Sequence, residues 1–346
     1  MLLLLYLSGG LFLGWSLGAN DASNIFGTAV STHMVRFKTA AIVASIFLIL
    51  GAVISGSGTS ATLGALGSIN MMAGAFMVAL SSAFTVFWMT KIGLPVSTSQ
   101  AIVGAIIGWN IFTGQTIDYS ILSQIVVTWI TSPIIAAIFA WLLYLVFDKL
   151  NTLSRIHLFR MDAYTRISLI IVGALGAYSL GANNIANVVG VFIPSIIFPN
   201  ISVLGITISG TQQLFLLGGI AIASGVFTFS KRVMLTVGKS VLKLNPQTAL
   251  VVVLAQALVM ILFTSTTLET WLAGFGLPTI PLVPLSSSQV VVGAIIGIGL
   301  AHGGRGIQLK VLGKISSGWV STPVITAIIT FFALFFLQNV FNLQVY

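Results

Sequence analysis

Two matched runs of polar residues lie inside otherwise apolar stretches. Ser16-Leu17-Gly18-Ala19-Asn20-Asp21-Ala22-Ser23-Asn24 has a counterpart in Ser179-Leu180-Gly181-Ala182-Asn183-Asn184-Ile185-Ala186-Asn187. Asn and Asp favour caps and turns over helix interiors. Each run is therefore expected to interrupt its helix and expose free N–H and C=O groups. Asn20 and Asn24, like Asn183 and Asn187, are four residues apart and share a helix face. Their amide and carboxylate oxygens are hard ligands suited to a small cation. A lone intramembrane Asn commonly just bonds a neighbouring helix. Two matched clusters, one holding the carboxylate of Asp21, point instead to a site. Asp21 should pair with a cation, a proton or a substrate hydroxyl.

A second pair has a different chemistry. Pro95-Val96-Ser97-Thr98-Ser99-Gln100 matches Pro284-Leu285-Ser286-Ser287-Ser288-Gln289. Proline followed by hydroxyl residues starts helices well. A helix start inside a membrane offers unpaired N–H groups and the positive dipole end to an anion. Two such starts arriving from opposite sides could cradle one tetrahedral oxyanion without Arg or Lys. Capping plus close packing by small residues is the competing account, and duplication favours a site.

The third pair is Trp129-Ile130-Thr131-Ser132-Pro133 and Trp319-Val320-Ser321-Thr322-Pro323. Proline frees a carbonyl one turn earlier. Thr131, Ser132, Ser321 and Thr322 are accordingly candidate Na+ ligands, although a plain kink explains the pattern at least as well. Gly56-Ser57-Gly58 reads as a loop after a span. His302-Gly303-Gly304-Arg305-Gly306 reads as an inner loop, with only a weak likeness to a phosphate loop. His33, His157 and His302 make no metal pattern, and no nucleophile–base–acid set is visible, so an enzyme is not expected. No cofactor is expected beyond a coupling ion.

The elements that position these residues follow from composition. Of 346 residues, 57% are hydrophobic and 5% charged, against roughly 25% charged in soluble domains. The apolar runs are long enough to span a hydrocarbon core of ~30 Å as helices, and their continuity excludes an alternating barrel pattern. Segments 2–34, 39–58, 69–90, 96–112 and 120–147 are followed by 166–198, 213–230, 248–268, 284–300 and 315–341, with 96–112 and 284–300 short enough to be re-entrant arms. Met1 to Trp15 lacks the basic leader of a signal peptide and is expected to be the first span.

With one crossing per segment and the N-terminus outside, all 14 Lys and Arg fall on one face. By the bias of cytoplasmic loops, that face is the cytoplasm of an inner membrane, and both termini lie outside. Asp118 and Glu269 fall on the other face. The net charge of +9 is thus a topological signal rather than a nucleic-acid signature, although anionic headgroups can also meet it. Five crossings per half invert the second half relative to the first. The expected architecture is an all-α polytopic membrane protein of two inverted-topology repeats, 1–147 and 166–346, with broken or re-entrant helices. A basic linker, 148–165, joins them.

Gly18-Ala19-Asn20-Asp21 with Asn24, its mid-chain copy, and Gly93-Leu94-Pro95-Val96-Ser97-Thr98 resemble the signatures of the inorganic phosphate transporter family. The likeness covers nearly the whole chain in order. It implies phosphate as substrate, sodium or protons as coupling ions, and a homodimer as a further expectation. By that likeness Asp21, Asn24, Asn187 and the two Ser-rich stretches are substrate and ion ligands. The chain departs from the family at Asn184, where Asp is common, and at Ser99-Gln100, where Thr-His is frequent. A carrier of another oxyanion such as sulfate, and a passive anion channel, stay open as alternatives.

Overall fold

The computed structural model describes residues 2–67, 69–91, 96–154, 158–203, 205–237, 244–304 and 308–346. Gly93, Leu94, Pro95, Arg155, His157, Lys239, Lys243, Arg305 and Gly306 of the sequence reading lie outside them. The helices are α1 (Leu2–Ser31), α2 (Phe37–Ser55), α3 (Ser57–Gly67), α4 (Met72–Lys91), α5 (Thr98–Thr113), α6 (Tyr119–Ser154) and α7 (Leu158–Val189). They continue with α8 (Gly210–Thr228), α9 (Ser230–Val237), α10 (Pro246–Leu262), α11 (Thr266–Gly274), α12 (Ser287–Ala301) and α13 (Leu309–Phe341). A small antiparallel hairpin, β1 (Ile201–Val203) and β2 (Ile206–Ile208), follows α7.

Each of the ten apolar segments is occupied mainly by one helix. Among the described residues seven helices are long and apolar enough to cross a membrane, and α10 with α11, bent by 60°, counts as an eighth if the pair is one span. At 1.5 Å per residue, α5 and α12 are about 22–24 Å long, short of a ~30 Å hydrocarbon core. The apolar side chains of α6 and α13 point outward in reciprocal stripes, Ile130, Ile134 and Ile138 on one and Val320, Val324 and Ile328 on the other. That surface suits lipid rather than water. The supposed linker 148–165 is largely the end of α6 and the start of α7.

Three expectations are corrected. The Asn-rich runs do not interrupt their helices, because α1 and α7 pass through them unbroken. The prolines do not interrupt the last spans either, since Pro133 and Pro323 lie inside continuous helices. Gly56-Ser57-Gly58 is not a loop, because Gly56 makes the turn and α3 begins at Ser57. The breaks lie before α5 and α12 instead. The chain from Gly276 to Ser286 carries no helix and leads into α12.

The packing is reciprocal between halves. α1 packs on α8 as α7 packs on α2, and α5 packs on α13 as α12 packs on α6. Glycines set the distance. A Cβ at Gly18 would lie 1.9 Å from the Ile222 carbonyl oxygen, and one at Gly181 would lie 2.0 Å from that of Leu48. The facing glycines do the same: a Cβ at Gly225 would lie 2.0 Å from the Trp15 carbonyl oxygen, and one at Gly51 would lie 1.9 Å from that of Tyr178. Close backbone approach through small residues is how helices associate in lipid, where burial of apolar surface gives no drive. The prolines fit the same scheme, with Pro133 against Gly293 and Pro323 against Gly104.

Basic helix ends are tied to one another. The Lys231 ammonium in α9 sits 5.9 Å from the Phe37 ring centroid at the start of α2. Asn151 near the end of α6 donates to Gln247 at the start of α10 (3.4 Å), and His302 after α12 meets the Tyr144 hydroxyl of α6 (2.9 Å).

Candidate functional site

The short helices α5 and α12 begin at a common point in the protein interior. Ser97 and Ser286 are their N-caps, each with extended backbone and a hydroxyl accepting from the N–H of Gln100 or Gln289 at 3.3 Å. The two starts brace each other crosswise. Ser99 Oγ donates to the Leu285 carbonyl (2.6 Å), and Ser288 Oγ reaches the Val96 carbonyl (3.4 Å) and the Ser286 hydroxyl (3.1 Å). Ser97, Thr98, Ser99, Gln100 and Ser286 through Gln289 are all buried. Two helix N-termini thus converge in a water-poor interior, the arrangement that favours an anion.

The unbroken middles of α1 and α7 supply the rest. Asn183 clasps the backbone of Leu285 with both amide atoms: its Nδ2 donates to the carbonyl at 2.9 Å, and its Oδ1 accepts the N–H at 2.8 Å. Asn187 Nδ2 donates to Ser99 Oγ (2.8 Å) and to Asn184 Oδ1 (2.9 Å). On the α1 side, Ser287 Oγ donates to Asp21 Oδ2 (2.6 Å), and Asn20 Nδ2 donates to Asp21 Oδ1 (3.1 Å). Asp21 is buried at 2% exposure, whereas Asn20 is half-buried. The structure therefore joins Asn20, Asp21, Asn183, Asn184, Asn187, Ser99 and Ser286–Ser288 through bonded pairs and adjacent residues.

Several buried polar atoms at these positions have no partner among the described residues: Thr98 Oγ1, Gln100 Oε1, Asn184 Nδ2, Asn187 Oδ1, Gln289 Oε1 and Asn24 Nδ2. An unpaired buried donor or acceptor costs roughly 1–3 kcal/mol. Thr98, Gln100 and Gln289 lie at the two helix starts, and Asn24, Asn184 and Asn187 lie in the middles of α1 and α7, where a ligand could supply the missing bonds.

The third pair of motifs is not joined to this cluster by any hydrogen bond among the described residues. Thr322 Oγ1 bonds back to the Gly318 carbonyl (2.5 Å) and Ser321 Oγ to the same oxygen (3.3 Å), within their own helix. Thr131 is half-buried. Ser132 is buried with its hydroxyl unpaired. The sequence reading missed α3. Thr59 Oγ1 bonds the Ala182 carbonyl (3.3 Å), and Thr62 Oγ1 bonds the Leu282 carbonyl, so α3 ties α7 to the segment leading into α12. An open cavity of about 730 Å³ lies against it, lined by Ser57, Thr62, Gln124, Thr266, Glu269 and Leu282 among others. Leu282, which lines this cavity, is three residues before Leu285 in the chain. Only the hydroxyls among the small residues of α3 could have signalled it.

Comparison with known proteins agrees with this geometry. The chain is similar to proteins named "Putative phosphate permease": 26% identical to that of Pyrococcus abyssi over 95% of this chain and 96% of the relative. It is 26% identical to one of Haemophilus influenzae (96% of each) and 27% to one of Methanocaldococcus jannaschii (92% and 93%). A solved structure described as the sodium-dependent phosphate transporter has the same fold, with a TM-score of 0.76 at 21% identity over 98% of this chain and 99% of that one. The model of the phosphate transporter family matches residues 17–330, which contain both Asn-rich runs apart from Ser16, both short helix starts and both proline motifs; the chain belongs to that family.

Proposed function

We propose that this protein is a secondary active transporter that moves inorganic phosphate across the membrane, coupled to Na+ or H+. The observation that carries the reading is the meeting of two buried helix N-termini beside the buried carboxylate of Asp21. The N-termini and hydroxyls favour a tetrahedral oxyanion. Asp21 opposes it unless a cation or proton enters as well. In a medium of low dielectric that opposition is large, so anion and cation bind best together, and mutual dependence of binding is what couples their fluxes. The permease relatives and the family support phosphate as the oxyanion.

The same reading makes the halves 1–147 and 166–346 inverted repeats, exchanging access to the site by motion of one against the other. It puts both termini outside a cytoplasmic membrane and accommodates a homodimer through the apolar flanks. Asn24, Asn187, Thr131, Ser132, Ser321 and Thr322 remain candidates for the ion path. The test is uptake of labelled phosphate into proteoliposomes with sodium and pH gradients imposed separately. Uptake should follow one of them and show counterflow. Flux without counterflow, indifferent to both gradients, would make the protein a channel.

A further inference from the structure

The two motif copies are reciprocal in packing but opposite in polarity. On the α1 side, both carboxylate oxygens of Asp21 receive one donor each, from Asn20 and Ser287. A carboxylate has about four acceptor positions, so this half-site presents negative charge and spare lone pairs. The position matching Asp21 in α7 is Asn184, and the position matching Ser287 in α5 is Thr98. There the acceptor is consumed: Asn184 Oδ1 takes hydrogens from Asn183 Nδ2 (3.2 Å) and Asn187 Nδ2 (2.9 Å). What is left is Asn184 Nδ2 and Thr98 Oγ1, both without partners among the described residues, on residues 1% and 3% exposed.

The amide orientation follows from the backbone. The Leu285 N–H can only donate, so it fixes Oδ1 of Asn183. That leaves the Asn183 NH2 group facing Asn184, whose oxygen must then be the atom that accepts and whose NH2 is the free end. Beside it begins α5, a helix of 16 residues whose first N–H groups are unpaired by the helix itself.

We infer that the two half-sites divide the work. Asp21 with Ser287 holds the coupling cation, while Asn184 and Thr98 with the start of α5 donate hydrogen bonds to the oxyanion. Phosphate is then coupled through a single carboxylate-held cation, because the second motif copy has become a donor site. This rests on the proposed phosphate–cation symport.

The experiment uses the full-length protein in proteoliposomes. Phosphate KM is measured at saturating cation, cation affinity at saturating phosphate, and the coupling ratio from the cation gradient that just cancels a fixed phosphate gradient. Asn184→Asp adds a second carboxylate and should raise the ratio by about one cation. Thr98→Val should raise phosphate KM about tenfold, the loss of one buried hydrogen bond, with cation affinity changed less than about twofold. Thr98→Ser should restore the KM. Ser287→Ala should do the converse and weaken cation affinity most. An active Asn184→Asp protein with an unchanged ratio overturns the inference. So does a Thr98→Val protein whose cation affinity falls as much as its phosphate affinity. Should Asn184→Asp fail to fold, the Thr98 and Ser287 variants decide alone. Wild-type protein that carries no phosphate with either cation refutes the underlying transport reading instead, a distinct outcome.

Discussion

Replacing Asn183 by alanine should damage the protein far more than replacing Asn20, although the two occupy the same place in matched motifs. Asn183 holds both backbone groups of Leu285 and also donates to Asn184. Alanine strands a buried N–H. The Leu285 carbonyl keeps only its bond from Ser99. One stranded N–H costs about 1–3 kcal/mol and the two other lost bonds about 0.5–1.5 kcal/mol each, so the loss should be on the order of 2–6 kcal/mol. Asn20 is half-buried and makes one side-chain bond, to Asp21. Its removal should cost about 1 kcal/mol or less. The assay is thermal unfolding in detergent, followed by size exclusion, because it is blind to any role in ligand binding. Adding Ser99→Ala to Asn183→Ala should give a non-additive loss, since both residues bond the same carbonyl. Equal destabilisation by the Asn20 and Asn183 variants would refute the view that the start of α12 is pinned by this clasp.

Arsenate shares the shape and the residual proton of phosphate, whereas sulfate near neutral pH has no proton to offer the buried acceptors Asn187 Oδ1 and Gln100 Oε1, which have no partner among the described residues. An unsatisfied buried acceptor costs about 1–3 kcal/mol, so arsenate should compete with labelled phosphate about tenfold better than sulfate does; equal competition would favour the sulfate carrier. Gly181→Ala sets a Cβ 2.0 Å from the Leu48 carbonyl and should destabilise by about 1–3 kcal/mol in detergent melts. Gly64→Ala in α3 meets nothing within 4 Å and should be neutral or stabilising by up to about 1 kcal/mol, the helix preference for Ala over Gly. Cysteines placed near Lys149 and Lys310 should react with impermeant reagents only from the cytoplasmic side, and those near Asp118 and Ser202 only from outside. Labelling of both sets from one side would sink the inverted arrangement.

The spans and the pairing of motifs were legible because hydropathy and duplication are local properties of the chain. The partner of each polar side chain was not. Asn183 and Asp21 would break a helix standing alone, since their side chains would compete for nearby backbone. Here Leu285 and Ser287, more than 100 residues away, satisfy them, so α1 and α7 stay whole. Pro133 and Pro323 are tolerated for a similar reason: their helices are held by close contact with Gly293 and Gly104. The helix α3 was misread because Ser, Gly and Thr suggest a loop. Small side chains let it lie between α7 and Leu282, and that need is invisible without the neighbours. The difference between the half-sites was visible as one letter, Asp21 against Asn184, but the polarity of the second depended on the Leu285 backbone.

The reciprocal seams also govern how the protein is made. During synthesis α1 and α2 enter the bilayer before α7 and α8 exist, yet Gly18 and Gly51 are shaped for backbone of those later helices. Until the second half leaves the ribosome, lipid tails must fill both clefts, and the Asp21 carboxylate lacks the Ser287 hydroxyl. The first half is therefore an assembly intermediate rather than a folding unit. Expressed alone it should be cleared by membrane proteases, and it should survive when the second half is supplied as a separate chain.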